Sequence, residues 1–223
     1  MTTPALTHQH ALPHPRAVSE ETVNQFTHGL GLFLAIIGAT WLNFSAAQTG
    51  DIWRIWAAAI YSTTLVALYA ASTLSHSFLF RPRPRHFFRM IDQVCIFLLI
   101  AGTYTPFGLV YLRDGWTWGL TIAIWSLALF GSVFRVFFSY LRSLHSTAYV
   151  LLGWLPVTAV GSVLERVPHA ALLWLLVGGL VYTIGTLFLA RDQKYPYFHG
   201  VWHLLVVTAS ACHFWAIANY IIC

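Results

Sequence analysis

Seven apolar runs, at residues 26–47, 55–79, 90–111, 116–134, 146–163, 170–190 and 198–222, take up most of a chain of 223 residues. Each is bounded by charges, Gly or Pro, and their lengths cluster around the ~20 mainly apolar residues with which a helix crosses a bilayer. The runs predict an all-α membrane protein, a seven-transmembrane-helix bundle over residues 26–223 preceded by a flexible N-terminal tail over residues 1–25. Only 9% of the residues are charged, against roughly 25% in soluble domains, which argues against a soluble fold. Pro106 and Pro156 fall inside runs three and five, where neighbouring helices and side chains can satisfy the carbonyl that a proline leaves unbonded. No internal repeat is visible, and an odd number of spans argues against a simple inverted duplication.

The formal charge of +5 is distributed so that it sets an orientation. Arg16, Arg81, Arg83, Arg85, Arg89, Arg135, Arg142, Arg191 and Lys194 flank the runs on the side of the N-terminus, and only Arg54, Arg113 and Arg166 lie opposite. Basic residues concentrate on the cytoplasmic side of a membrane protein. The N-terminus is therefore predicted to be cytoplasmic and, after seven spans, the C-terminus outside. Trp53, Trp56, Trp116 and Trp118 then form an aromatic belt at the outer interface. This topology accounts for the basic excess without nucleic acid, whose binding proteins cluster Lys and Arg on a soluble fold. Residues 1–25 lack the basic start and apolar centre of a cleavable signal peptide, so the first span is expected to direct insertion. Cys95, Cys212 and Cys223 have no spacing that suggests a disulfide framework or a thiolate metal site, and free thiols are expected.

Polar side chains inside a bilayer are costly, which makes each one a candidate site. The second run ends in Ser72-Thr-Leu-Ser-His76, the third begins Arg89-Met-Ile-Asp92, and the seventh begins His199-Gly-Val-Trp-His203. Ser72 with His76, and His199 with His203, are spaced i to i+4, so each pair shares one helix face. Runs two and three meet at the Arg-rich loop and run seven starts from the same side. All these groups therefore fall in one layer, within ~8 Å of the helix ends at ~1.5 Å per residue. Three imidazoles and a water make an open tetrahedral zinc site of the catalytic kind. Zinc bound in that way lowers the pKa of its water toward ~7 and polarises a carbonyl. The pattern points to zinc on His76, His199 and His203, with Asp92 holding or deprotonating the water and Ser72 donating a hydrogen bond to it.

Plainer roles stay open for each residue. A lone membrane histidine is more often a hydrogen-bond partner between helices than a ligand. His199 fits an interfacial position, Asp92 can complement the helix dipole beside Arg89, and Ser72 can be a small residue at a helix contact. Asp92 is nonetheless the only one of seven acidic residues inside an apolar run. His213 lies ten residues beyond His203, ~15 Å further along the helix, too far for the same metal, and is expected to pack or hydrogen-bond. His28 is at the right depth to orient a ligand or to sit at the interface. His8, His10 and His14 belong to the tail and suit weak metal gathering at most. The loop RPRPRHFFR, residues 81–89, serves as a topology signal or contacts anionic lipid headgroups.

Taken together, these residues resemble the hemolysin III family, within the wider group of progestin and adiponectin receptors and alkaline ceramidases. The similarity runs over almost the whole chain. It is carried by Asn24-Gln-Phe-Thr-His28-Gly, Ser72-x3-His76, Asp92, Ala101-Gly-Thr-Tyr-Thr-Pro106-Phe, and His199-x3-His203 with Cys212-His213-Phe. The resemblance implies seven helices with a cytoplasmic N-terminus and zinc on the histidines matching His76, His199 and His203. It also implies an aspartate and a serine nearby, matching Asp92 and Ser72, and residence in the bacterial inner (plasma) membrane. Relatives in the group are lipid amide hydrolases or receptors with ceramidase-like activity, and bacterial members are linked to membrane lipid homeostasis.

Three functions compete. The first is a zinc-dependent hydrolase of a lipid amide or ester, its partners being membrane lipids. The second is a non-enzymatic membrane sensor in which zinc, with Asp92 as a further ligand, is structural. The third is a haemolysin-type pore, although the runs show no ring of charged residues of the kind that lines a charge-selective channel. A retinal-type photoreceptor is set aside because the only lysine, Lys194, lies in a loop. Imidazole also suits copper, iron and nickel, so ligand type alone does not fix the metal.

Overall fold

The computed structural model describes residues 15–113, 115–138 and 142–223. It is 89% helical and, among the described residues, has no strand. Helix α1 covers Pro15–Thr49, α2 Ile52–Ser77, α3 Pro82–Val110, α4 Gly115–Phe137, α5 Arg142–Trp154, α6 Val160–Arg166, α7 His169–Leu189 and α8 Phe198–Ile217. A 3-10 turn, Leu155–Ala159, joins α5 to α6, and a π turn, Ala218–Ile222, follows α8. Seven segments among the described residues are long and apolar enough to span a membrane, α5, the 3-10 turn and α6 together supplying the fifth. The chain is thus the all-α, seven-span bundle that its apolar runs predict.

The ends of the helices differ from expectation. Helix α1 begins at Pro15, so residues 15–25, assigned from sequence to the tail, form its first three turns. Residues 1–14, with His8, His10 and His14, lie outside the described residues. Helix α3 begins at Pro82, so the expected loop RPRPRHFFR is helical apart from Arg81 at its N-cap. Proline is favoured at a first helical position, because the N–H it lacks would have had no partner there. The fifth span is interrupted at its proline, its 3-10 turn containing Pro156, whose ring cannot continue an α-helical ladder. Pro106, by contrast, sits inside an unbroken α3.

The helices that carry the polar motifs are also the most enclosed. Buried residues make up 56%, 61% and 50% of the apolar windows of the spans formed by α2, α3 and α8, against 17% for the fifth span and 11% for α7. Lipid tails are as apolar as leucine, so close packing between membrane helices depends on small residues and hydrogen bonds. Helix α2 buries Ala57, Ala58, Ala71, Ser72 and Ser75. On α3, Gly102 lies so close to Thr64 of α2 that an added Cβ would overlap it. Trp53 and Trp56 are exposed at the end of α2 away from His76, where the Arg113 guanidinium lies 4.4 Å over the Trp53 ring.

Candidate functional site

The last turn of α2 and the first two turns of α8 bring His76, His199 and His203 together. One ligand nitrogen of each lies within 4.8 Å of the other two, with His76 and His203 buried and His199 half-buried. The ring centroids are 5.2, 4.9 and 4.6 Å apart. Such a donor set can hold a transition-metal ion.

What lies behind each ring is as informative as the cluster. His76 Nδ1 is 2.5 Å from Glu21 Oε2, and His199 Nδ1 is 2.9 Å from Asp192 Oδ2. His203 Nδ1 is 3.2 Å from the Asn24 carbonyl oxygen and 3.3 Å from Thr27 Oγ1. Carboxylate and carbonyl oxygens only accept, so each Nδ1 carries a hydrogen and each Nε2 is left with its lone pair. An oxygen behind the ring is what fixes the tautomer of a metal-binding histidine and raises the basicity of its ligating nitrogen. Histidines that only pack helices together have no reason to share this arrangement. Glu21 is itself tied down from α3, its Oε1 accepting from Arg85 and from Arg89, the latter at 3.5 Å.

Asp92 is brought into the same layer but does not belong to the three-histidine group. Its carboxyl faces Ser72, and Ser72 Oγ is 2.6 Å from His28 Nδ1. The His28 ring stacks on that of His203, with centroids 3.5 Å apart and planes 16° from parallel. A row of contacts therefore runs Asp92, Ser72, His28, His203, crossing α3, α2, α1 and α8. A cavity of about 970 Å³ opens from this layer, with Ser72, Asp92, His199 and His203 among its lining residues. Its walls are mainly apolar and come from α3, the fifth span, α7 and α8. That size and lining suit one small amphiphilic ligand. His213 lies further along the same cavity, outside the cluster as its spacing predicts, with Nε2 donating to the Leu175 carbonyl at 3.2 Å.

A family model described as haemolysin-III related matches residues 16–214. The chain belongs to the haemolysin-III family. It is 36% identical over 206 residues to Hemolysin-3 of Bacillus cereus, covering 92% of this chain and 93% of that one. It is 37% identical over 204 residues to a Hemolysin-3 homolog of Bacillus subtilis, covering 91% and 95%. The human Monocyte to macrophage differentiation factor is 29% identical over 211 residues, covering 91% and 84%. With seven spans and these bacterial relatives, the haemolysin-III protein is an integral membrane protein of the bacterial plasma membrane.

The oxygens that hold the three rings went unnoticed in the sequence. Glu21 and Asn24 fall in what reads as a tail, and Asp192 in what reads as a connecting loop. One signal was available: Glu21, Asn24 and His28 are spaced i, i+3 and i+7, which places them on one helix face. The Asp192 loop gives no comparable pattern. Its placement depends on Tyr197, which has φ of 59° at the start of α8 and whose hydroxyl is 3.1 Å from Ser19 Oγ on α1.

Proposed function

We propose that this haemolysin-III protein is a zinc-dependent hydrolase of a lipid amide or ester, with its site at the cytoplasmic face of the membrane. The observation that supports it most is the shared tautomer of the three histidines, two of which, His199 and His203, line a cavity that Asp92 and Ser72 also line. His76, His199 and His203 would hold the ion through Nε2, while Glu21, Asp192 and the Asn24 carbonyl hold the rings. Three imidazoles with one position left open are a zinc donor set of the catalytic kind. Zinc bound there supplies Lewis acidity, lowering the pKa of water toward ~7 and polarising a carbonyl.

The chain's own residues account for the rest of the chemistry. The apolar cavity takes the acyl chain and leaves its carbonyl carbon beside Asp92. Asp92 accepts a proton from water as the new C–O bond forms, and returns it to the leaving nitrogen or oxygen as the old bond breaks, giving a fatty acid and an amine or alcohol. Ser72 donates to Asp92 and keeps the carboxylate aimed at the cavity. That makes His28 Nδ1 the donor to Ser72, so a histidine that binds no metal positions the base.

His203→Ala is expected to abolish zinc binding and turnover together. Asp92→Asn is expected to keep the zinc and lower turnover by roughly 100-fold or more. Full turnover by zinc-free His203→Ala, or unchanged turnover by Asp92→Asn, would count against a hydrolase. A sensor with a structural zinc is the second reading, favoured by the way the same histidines join α2 to α8. In that case zinc removal loosens the bundle, and Asp92→Asn has no catalytic consequence.

A further inference from the structure

The end of the cavity away from the three-histidine cluster carries polar side chains that the proposed hydrolysis does not use. Tyr182 on α7 and His213 on α8 both line it, with ring centroids 5.5 Å apart. His213 is ten residues beyond His203 on one helix, roughly 15 Å further along it. The ring fits there because position 178 of α7 is glycine; a Cβ on Gly178 would overlap it.

Donors and acceptors at this end do not balance within the protein. His213 Nε2 faces the Leu175 carbonyl at 3.2 Å, so Nε2 carries the hydrogen and Nδ1 is an acceptor. Nδ1 has no hydrogen-bond partner among the described residues. Tyr69 donates to Ser210 Oγ at 2.9 Å, and Ser210 Oγ is 2.7 Å from the Tyr182 hydroxyl. No other acceptor for the Ser210 hydrogen is present among the described residues. The contact between Ser210 and Tyr182 uses only one of their two hydrogens, and either hydroxyl can supply it. With Ser210 donating, the hydrogen left over is that of Tyr182, the one of the pair that lines the cavity. Two neighbouring side chains can thus offer a ligand one donor and one acceptor in a mainly apolar cavity, where an unmet hydrogen bond is expensive.

We propose that Tyr182 and His213 form a hydroxyl-binding subsite, so that the lipid chain occupying the cavity carries a hydroxyl partway along its length. This rests on the cavity being the lipid site of the proposed hydrolase. A hydroxyl satisfies both groups at once, accepting from Tyr182 and donating to His213 Nδ1. A carbonyl would leave Nδ1 unmet, and a plain hydrocarbon would leave both. The subsite selects by position along the chain, because its distance from the carbonyl end is set by a rigid helix.

The test is equilibrium binding of three probes, octadecanamide and its 12-hydroxy and 2-hydroxy derivatives, to the full chain in lipid nanodiscs. The 12-hydroxy amide is expected to bind roughly ten-fold more tightly than octadecanamide, as about two net hydrogen bonds would give. His213→Phe and Tyr182→Phe are each expected to bring that ratio to about one and to leave octadecanamide binding within about two-fold of the wild type. Tyr182→Phe removes a single oxygen, so it carries the test if His213→Phe does not fold. Equal binding of the 12-hydroxy and plain amides, an equal preference for the 2-hydroxy isomer, or a preference that survives Tyr182→Phe overturns the subsite and leaves the cavity as a lipid site. Failure of all three amides to bind overturns the cavity reading together with the subsite.

Discussion

Replacing Glu21 by Gln keeps the shape of the side chain and turns one of its two acceptor oxygens into an NH2 donor. In the structure both oxygens face donors. Oε2 accepts from His76 Nδ1 at 2.5 Å, and Oε1 accepts from Arg85 and Arg89. A glutamine cannot serve both sides. If its nitrogen faces His76, two donors meet and the ring is pushed away from its position. If its nitrogen faces the arginines, the oxygen left to His76 makes a neutral hydrogen bond about half as strong as the charge-assisted one. Loss of such a partner lowers metal affinity by roughly 10- to 100-fold, or about 1.4–2.8 kcal/mol. Glu21→Gln is therefore expected to weaken zinc binding by that factor in competition against a chromophoric chelator. Glu165→Gln, an exposed change on α6, is expected to stay within about two-fold. Wild-type zinc affinity in Glu21→Gln would refute the view that His76 is held through Nδ1 and binds through Nε2.

Two further outcomes follow from the same geometry. Asp192→Asn keeps an oxygen that can turn toward His199 Nδ1 but loses the charge, so zinc affinity is expected to fall by about ten-fold in the same titration. Gly102→Ala drives a methyl into Thr64 across the α2–α3 contact, and overpacking of this kind costs about 1–3 kcal/mol. Its thermal unfolding midpoint in detergent is expected to lie several degrees below that of Gly119→Ala, whose added Cβ meets nothing within 4 Å.

The seven spans were legible in the sequence because a bilayer imposes a length and an apolar character on each helix regardless of its neighbours. Their ends were not. Polar first turns such as Ser19-Glu-Glu-Thr-Val-Asn24, and the Pro- and Arg-rich start of α3, look like tail and loop when judged by hydropathy alone. His76, His199 and His203 were legible because i, i+4 spacing and span order together fix face and depth. The contacts of His28 with Ser72 and His203 needed the angular placement of three helices, which no single helix encodes. Asp192 was hidden more completely, since a loop residue's position depends on where the chain turns, here through the left-handed backbone of Tyr197.

A span that carries none of the three clustered histidines organises the site. Residues 21, 24, 28, 31 and 35 are the inward positions of the first part of α1, buried except for a half-buried Glu21, and their spacing of three and four is that of one helix face. Along that stripe Glu21 reaches His76 on α2, the Asn24 carbonyl reaches His203 on α8, and His28 touches both Ser72 on α2 and the ring of His203. One turn further, position 31 is glycine, and a Cβ there would overlap the Tyr69 ring of α2, so that ring packs directly on the α1 backbone just below the cluster. The helices that carry the histidines are thus set relative to each other by a third helix that packs on both. Because each contact fixes a ring nitrogen or a carboxylate partner and not merely a helix position, an error in docking α1 would reach all of His76, His203 and Ser72 together. The first turns of α1, the stretch that hydropathy assigns to a tail, therefore belong to the site as fully as the histidines do.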